Sequence, residues 1–230
     1  MTPFSHLVFD LDDTLLDTYG LLVPQASRDA CTAMIAAGLS TDLTPCMNLR
    51  EELGRSGGRG DVYGEIVARF GVRAGAEPSA VAAKGSDAFY NRRVSGELSL
   101  FRGAREMLRE LKSRYELHLV TAGQEKTQHS KIEALNLGEI FQSIHVIDYR
   151  TGRRKGDAFA AIQHYSKLAP DLHLSIGNRL DSDIADAKRL GWKTCWVQYG
   201  EHADDSPQNE FETADYTIDG IEELVVACRL

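Results

Sequence analysis

The stretch His6-Leu7-Val8-Phe9-Asp10-Leu11-Asp12-Asp13-Thr14-Leu15-Leu16-Asp17 decides the fold. A short apolar run ended by carboxylates is the pattern of a parallel strand whose carboxyl end opens into a crevice. In open α/β sheets that crevice holds the ligand. Asp10 and Asp12 are two apart, so on extended backbone both side chains point to one face. Carboxylates that close repel unless a cation or a shared proton relieves them, and the pattern therefore invites a divalent metal ion. The competing reading is a polar strand-to-turn junction, for which Asp-Asp-Thr is also suitable chemistry.

Beyond Asp17 the pattern becomes helical. Pro24 to Ala37 is amphipathic, with Pro24 placed as a first-turn residue and Gly38 as a stop. Thr44 to Leu53, Asp61 to Phe70 and Pro78 to Val94 read as three more helices, the last weakened by Gly85. From Leu100 onward strands alternate with helices. The predicted strands are 116–121, 144–147, 172–177, 193–197 and 216–218, and the predicted helices 102–113, 125–137, 156–168, 184–190 and a last one from 221. That alternation implies a doubly wound parallel α/β sheet. The first strand belongs to it, so residues 18–97 are an inserted helical module, and residues 1–17 with 98–230 are the core. The loop from Gly200 to Thr213 reads as solvated.

The chain has 230 residues, 43% of them hydrophobic, and a formal net charge of −8. That balance argues against a nucleic-acid or anionic-membrane surface, so any phosphate site must be local. Cys31, Cys46, Cys195 and Cys228 fit neither a zinc site nor a disulfide framework, and read as reduced apolar residues. The seven histidines share no spacing and receive no role. With neither a signal-peptide pattern nor an apolar run of spanning length, a soluble cytoplasmic protein is expected.

In a parallel sheet the residues after each strand share one edge. Those residues are Asp10 and Asp12, then Thr121-Ala122-Gly123, then Arg153-Arg154-Lys155-Gly156, then Gly177-Asn178-Arg179-Leu180-Asp181-Ser182-Asp183. The set suits phosphoryl transfer, which needs an in-line nucleophile and cations over the equatorial oxygens. Asp10 can be the nucleophile, and Asp12 the group that protonates the leaving alkoxide and then activates water. Thr121 and the amides of Ala122 and Gly123 can bind phosphate oxygens, and Lys155 supplies fixed positive charge. Mg²⁺ prefers such hard oxygen ligands.

These residues resemble the haloacid dehalogenase superfamily of aspartyl-nucleophile hydrolases. The first motif, Asp-x-Asp-x-Thr, is Asp10-Leu11-Asp12-Asp13-Thr14; Thr121 matches the second, Lys155 the third, and Gly177 to Ile184 the acidic fourth. The resemblance implies a Rossmann-like core with an all-helical cap inserted at 18–97, Mg²⁺ dependence, and a phosphatase acting on a small phosphorylated metabolite. Asp10, Asp12, Asn178 and Asp183 are the expected metal residues. Thr14, Ala122, Gly123, Tyr19, Arg55 and Arg59 are expected around the substrate, the two arginines because they flank a glycine-rich cap loop.

Asp12 stands where dehalogenases carry a non-acidic residue, which favours phosphatase chemistry. Asn178 stands where the family usually has Asp, and brings no charge. Asp181 is read as a cap of the following helix. A phosphomutase, a 2-haloacid dehalogenase and a non-catalytic phosphate-binding protein are the alternatives.

Overall fold

The computed structural model describes residues 4–55, 61–90 and 98–230, the side chain of Arg55 excepted. Its strands are β1 (His6–Phe9), β2 (Glu116–Ala122), β3 (Ser143–Ile147), β4 (His173–Gly177), β5 (Lys193–Val197) and β6 (Tyr216–Ile218). They form one sheet in the order β3-β2-β1-β4-β5-β6, with every neighbouring pair parallel. β1 is therefore central and buried along its whole length, as its unbroken apolar run requires. The order reverses direction between β1 and β4, the switch point at which α/β sheets bind ligands.

The chain divides into two compact units, Met1–Thr18 with Val94–Leu230, and Tyr19–Arg93. The second is helical: α1 (Thr18–Leu21) enters it, followed by α2 (Val23–Ala36), α3 (Leu43–Arg55), α4 (Val62–Phe70) and α5 (Pro78–Tyr90). In α2, Ala26, Ala30 and Met34 recur every four residues and are buried, one face of a 3.6-residue period. Asp61 caps α4, accepting from Gly64 N at 3.0 Å. Gly85, which weakens the prediction of α5, is explained by packing. A Cβ there would lie 2.6 Å from Met34 Sδ and 2.7 Å from the Tyr63 ring, so only glycine lets α5 approach its neighbours. The predicted extension to Val94 lies outside the described residues.

In the first unit the sheet is flanked by α6 (Ala104–Lys112), α7 (Glu125–Ala134), α8 (Lys155–Ser166), α9 (Ala185–Arg189) and α10 (Leu224–Ala227). Val8, Val120 and Ile147 from three strands pack with Phe159, Ile162 and Trp192 on one face. The segment Gly200 to Thr213 is mostly exposed, as expected, with two buried exceptions. It contains two short 3₁₀ turns, and His202 and Glu212 are buried. Its acidic residues satisfy the loop itself: Glu212 accepts from Gln208 N at 2.9 Å and from Asn209 Nδ2 at 3.0 Å. Among the described residues no helix is long and apolar enough to cross a membrane.

Candidate active site

The carboxyl ends of β1, β2 and β4 bring the acidic and basic residues of the site together. Asp10 follows β1 directly, and its amide donates to Ile176 O at 2.9 Å, carrying the ladder one residue past the strand. Lys155 is the first residue of α8 and is 1% exposed. Its ammonium lies 2.7 Å from Asp10 Oδ1 and 2.6 Å from Asp183 Oδ1. Burial at such depth opposes any charge. The two carboxylates outweigh it for Lys155, holding the ammonium above its ordinary value. For Asp10 burial prevails: against the pull of Lys155, and with Asp183 and Asp12 adding repulsion, the carboxyl is pushed up to about 7.

Asp183 comes from a π-turn, Leu180–Ile184, between β4 and α9, a local widening of the helix that often marks functional sites. Its Oδ2 accepts from Arg179 N at 3.0 Å, and Ser175 Oγ donates to its main-chain oxygen at 2.8 Å. Gly177 makes the approach possible, since a Cβ there would lie 2.3 Å from Asp183 Cγ. Asn178 is buried; its Nδ2 donates to Tyr199 O at 3.4 Å, which leaves the amide oxygen as the end suited to a cation. Asp181 does not cap α9. It forms a two-pronged pair with Arg179, at 3.0 and 2.9 Å, because the π-turn shifts the helix start beyond its reach.

Asp10 and Asp12 do not share one set of partners. Strand β1 ends at Phe9 and its ladder at Asp10, yet Asp12 still stands close enough to add to the repulsion on Asp10. Asp12 accepts from Lys131 Nζ at 2.6 Å, Thr18 Oγ1 at 2.5 Å and Gln128 Nε2 at 2.8 Å. Burial opposes its charge, yet Lys131, Thr18 and Gln128 together hold the carboxyl below its ordinary value. Gln128 Nε2 also donates to Thr121 Oγ1 at 2.6 Å. Since that oxygen is accepting, the Thr121 hydroxyl hydrogen is left for another acceptor.

Sequence reasoning missed Lys131, Gln128 and Thr18. One signal was available: Gln128 and Lys131 are three apart on α7 and so share a face, and that face is the buried one, beside Ile132. A polar pair where a helix should show its apolar stripe marks a site.

The remaining predicted residues divide. Thr14 is fully buried, and its Oγ1 has no hydrogen-bond partner among the described residues. Gly123 N already donates to Ile147 O at 3.0 Å, so that amide belongs to the sheet rather than to a ligand. Ala122 is half-buried at the end of β2, and Tyr19 half-buried on α1. Arg59 and the Arg55 side chain lie outside the described residues. Arg153 and Arg154 are exposed.

Comparison with known proteins gives the family and the fold. The family of haloacid dehalogenase-like hydrolases matches over residues 58–197. The glyceraldehyde 3-phosphate phosphatase of Pyrococcus furiosus is 31% identical over 98% of this chain and 93% of its own. The protein of the same name from Methanopyrus kandleri is 29% identical over 97% and 96%. Among solved structures, the HAD-hydrolase YfnB of Bacillus subtilis, determined with magnesium bound, superposes with a TM-score of 0.69. It covers 97% of each chain at 22% identity, a likeness of fold.

Proposed function

The chain belongs to the haloacid dehalogenase-like hydrolases, and from that premise we propose that it is a Mg²⁺-dependent phosphatase hydrolysing a small phosphomonoester through an aspartyl phosphate on Asp10. The observation that carries this reading is Lys155 buried between Asp10 and Asp183 at the sheet's switch point. The names of the relatives make a triose phosphate, glyceraldehyde 3-phosphate first, the leading substrate.

The donor set fits Mg²⁺. Asp10 and Asn178 offer hard oxygens, and among the described residues the three buried or half-buried carboxylates Asp10, Asp12 and Asp183 pair with two ammonium groups, Lys155 and Lys131. Asp10 and Asn178 would hold the ion; Asp12 and Asp183, whose oxygens are engaged by Lys131 and Lys155, would stand around it. When bound, Mg²⁺ supplies the charge that draws an anionic phosphate toward an anionic nucleophile.

The chain's own residues supply the rest. Asp10 attacks phosphorus in line, one oxygen–phosphorus bond forming as that to the leaving alkoxide breaks. Lys155 and the free hydrogen of Thr121 bind the equatorial oxygens. Asp12 rests ionised against Lys131; turned from it toward the substrate, it takes up the proton that a phosphomonoester monoanion brings and passes it to the leaving alkoxide, then takes one from the water that attacks the aspartyl phosphate and returns it to solvent, as inorganic phosphate leaves and Asp10 is restored. The Tyr19–Arg93 unit is the cap in this reading, and Tyr19, Arg55 and Arg59 are its candidate selectors of substrate.

Phosphate release from a panel of phosphomonoesters, with and without Mg²⁺, tests this. Turnover that depends on Mg²⁺ and falls on the order of 10⁴-fold in Asp10→Asn is expected. Wild-type protein no better than that variant on every ester would remove the hydrolytic reading. Asn178, uncharged at a metal position, favours a second one, a non-catalytic phosphate-binding protein. That reading predicts phosphate binding by calorimetry without turnover.

A further inference from the structure

At the opposite, amino-terminal end of the sheet lies a cluster that phosphoryl transfer does not use. His6 opens β1, and in the parallel pairing it stands opposite Glu116, the first residue of β2. His118, two residues on, shares a face with Val120, the face covered by α8. His6 Nδ1 and His118 Nε2 are 2.9 Å apart, and Glu116 Oε2 is 3.7 Å from His6 Nδ1. The three ligand atoms all lie within 4.8 Å of one another. We propose that His6, His118 and Glu116 form a binding site for one divalent transition-metal ion of the Zn²⁺ or Ni²⁺ kind, separate from the hydrolytic centre.

The chemistry of the donors selects the ion. Imidazole suits Zn²⁺ and Ni²⁺, whereas Mg²⁺ takes oxygen ligands. Metal–nitrogen bonds of about 2.1 Å to two nitrogens 2.9 Å apart meet at roughly 90°, the angle of neighbouring ligands on a six-coordinate ion. A tetrahedral ion needs only a few tenths of an ångström of opening. His6 and His118 are 4% and 2% exposed, while the Glu116 side chain is 54% exposed. The two rings are thus fixed ligands and the carboxylate a mobile one, with water free to complete the shell.

An outer layer supports the rings. His118 Nδ1 is 2.8 Å from Ser143 Oγ, which is 3.0 Å from His145 Nε2. A proton on His118 Nδ1, donated to Ser143, leaves Nε2 bare for the ion, the arrangement found around ligating histidines. On the other side His173 stacks on His6, with centroids 5.0 Å apart, and Trp192 stacks on His173. His118, Ser143, His145, Ile162 and Tyr165 also line a cavity of about 360 Å³, which gives an ion a way in. Without an ion the two nitrogens share one N–H. With it, that proton sits on His6 Nε2 and the ion joins the same two strands. This site does not rest on the hydrolytic reading.

Zn²⁺ titration by calorimetry in Mg²⁺-saturated buffer, with thermal unfolding alongside, tests the site. One equivalent is expected in wild type and in Asp10→Asn, with unfolding raised by at least about 5 °C at a hundredfold excess over Kd. Binding weakens at least about tenfold in Glu116→Gln and is lost in His118→Gln. No equivalent in wild type, an equivalent lost in Asp10→Asn, or one untouched by both distal substitutions (an ion on cysteine, for instance) overturns the proposal. If His118→Gln does not fold, the exposed Glu116 decides alone.

Discussion

Lys131 Nζ lies 2.6 Å from Asp12 Oδ1, a contact between α7 and the turn after β1 that spans 119 residues of sequence. It holds the carboxylate ionised and aimed. Lys131→Met removes one of three donors and, among the described residues, the cation paired with Asp12, so the Asp12 carboxyl rises toward its ordinary value or above it. The limb of the kcat–pH profile that requires ionised Asp12 then moves to higher pH. Loss of positioning costs turnover on the order of 10²-fold. A profile that keeps its shape while falling in height would make Lys131 merely structural.

Lys155→Met leaves Asp10 and Asp183 buried without their shared cation. Breaking a buried pair in this way costs about 3–5 kcal/mol, and activity falls with it. Asp10 already stands at about 7, so in the variant a proton relieves the repulsion as pH falls. Urea unfolding is expected to show a stability gap between variant and wild type that is wide at pH 8 and narrower at pH 5. A gap that does not change with pH would mean the loss is one of packing alone.

Asn178→Asp restores a charged oxygen ligand at the end of β4. The Mg²⁺ concentration giving half-maximal activity is expected to fall by about tenfold or more, since a carboxylate at a few ångströms attracts the ion far more strongly than an amide dipole. An unchanged Mg²⁺ requirement would remove Asn178 from the metal site.

Much of this was legible in the chain. The apolar run of β1 ended by Asp10, and the alternation from Leu100 onward, carry the sheet, because burial and period are local properties of sequence. Lys155 was legible only through its place among the motifs; its own neighbours, Arg153 and Arg154, read as a solvated basic cluster. Contacts made across more than a hundred residues, such as Asp12 with Gln128 and Lys131, leave no local pattern beyond a polar face on α7. The π-turn that takes Asp181 from capping α9 and gives it to Arg179 is invisible for a related reason: the Asp and Ser of Leu180 to Ile184 suit an ordinary helix cap as well as they suit a π-turn. The histidines carry no shared spacing, yet parallel register sets His6 opposite His173 and one step diagonally from His118, so that the three rings stack across three strands.

That histidine row also contributes to the protein's response to acid. Burial, with His6, His145 and His173 alongside, lowers His118 from 6.5 to about 4, and His6, His145 and His173 are lowered too. Each takes a proton less readily in the folded protein than once unfolded. Between those two values the unfolded chain binds more protons, so stability present above pH 6.5 is lost as pH falls toward 4. For His118 alone the loss amounts to at most on the order of 3 kcal/mol. Asp10, raised to about 7, acts in the opposite sense over the same interval, so the histidine contribution is read as a difference: in urea unfolding of chelator-treated protein, His118→Gln, which keeps a polar group but cannot take the proton, is expected to gain stability relative to wild type as pH falls from 7 to 5. A variant with the wild-type slope would place the acid sensitivity elsewhere in the chain.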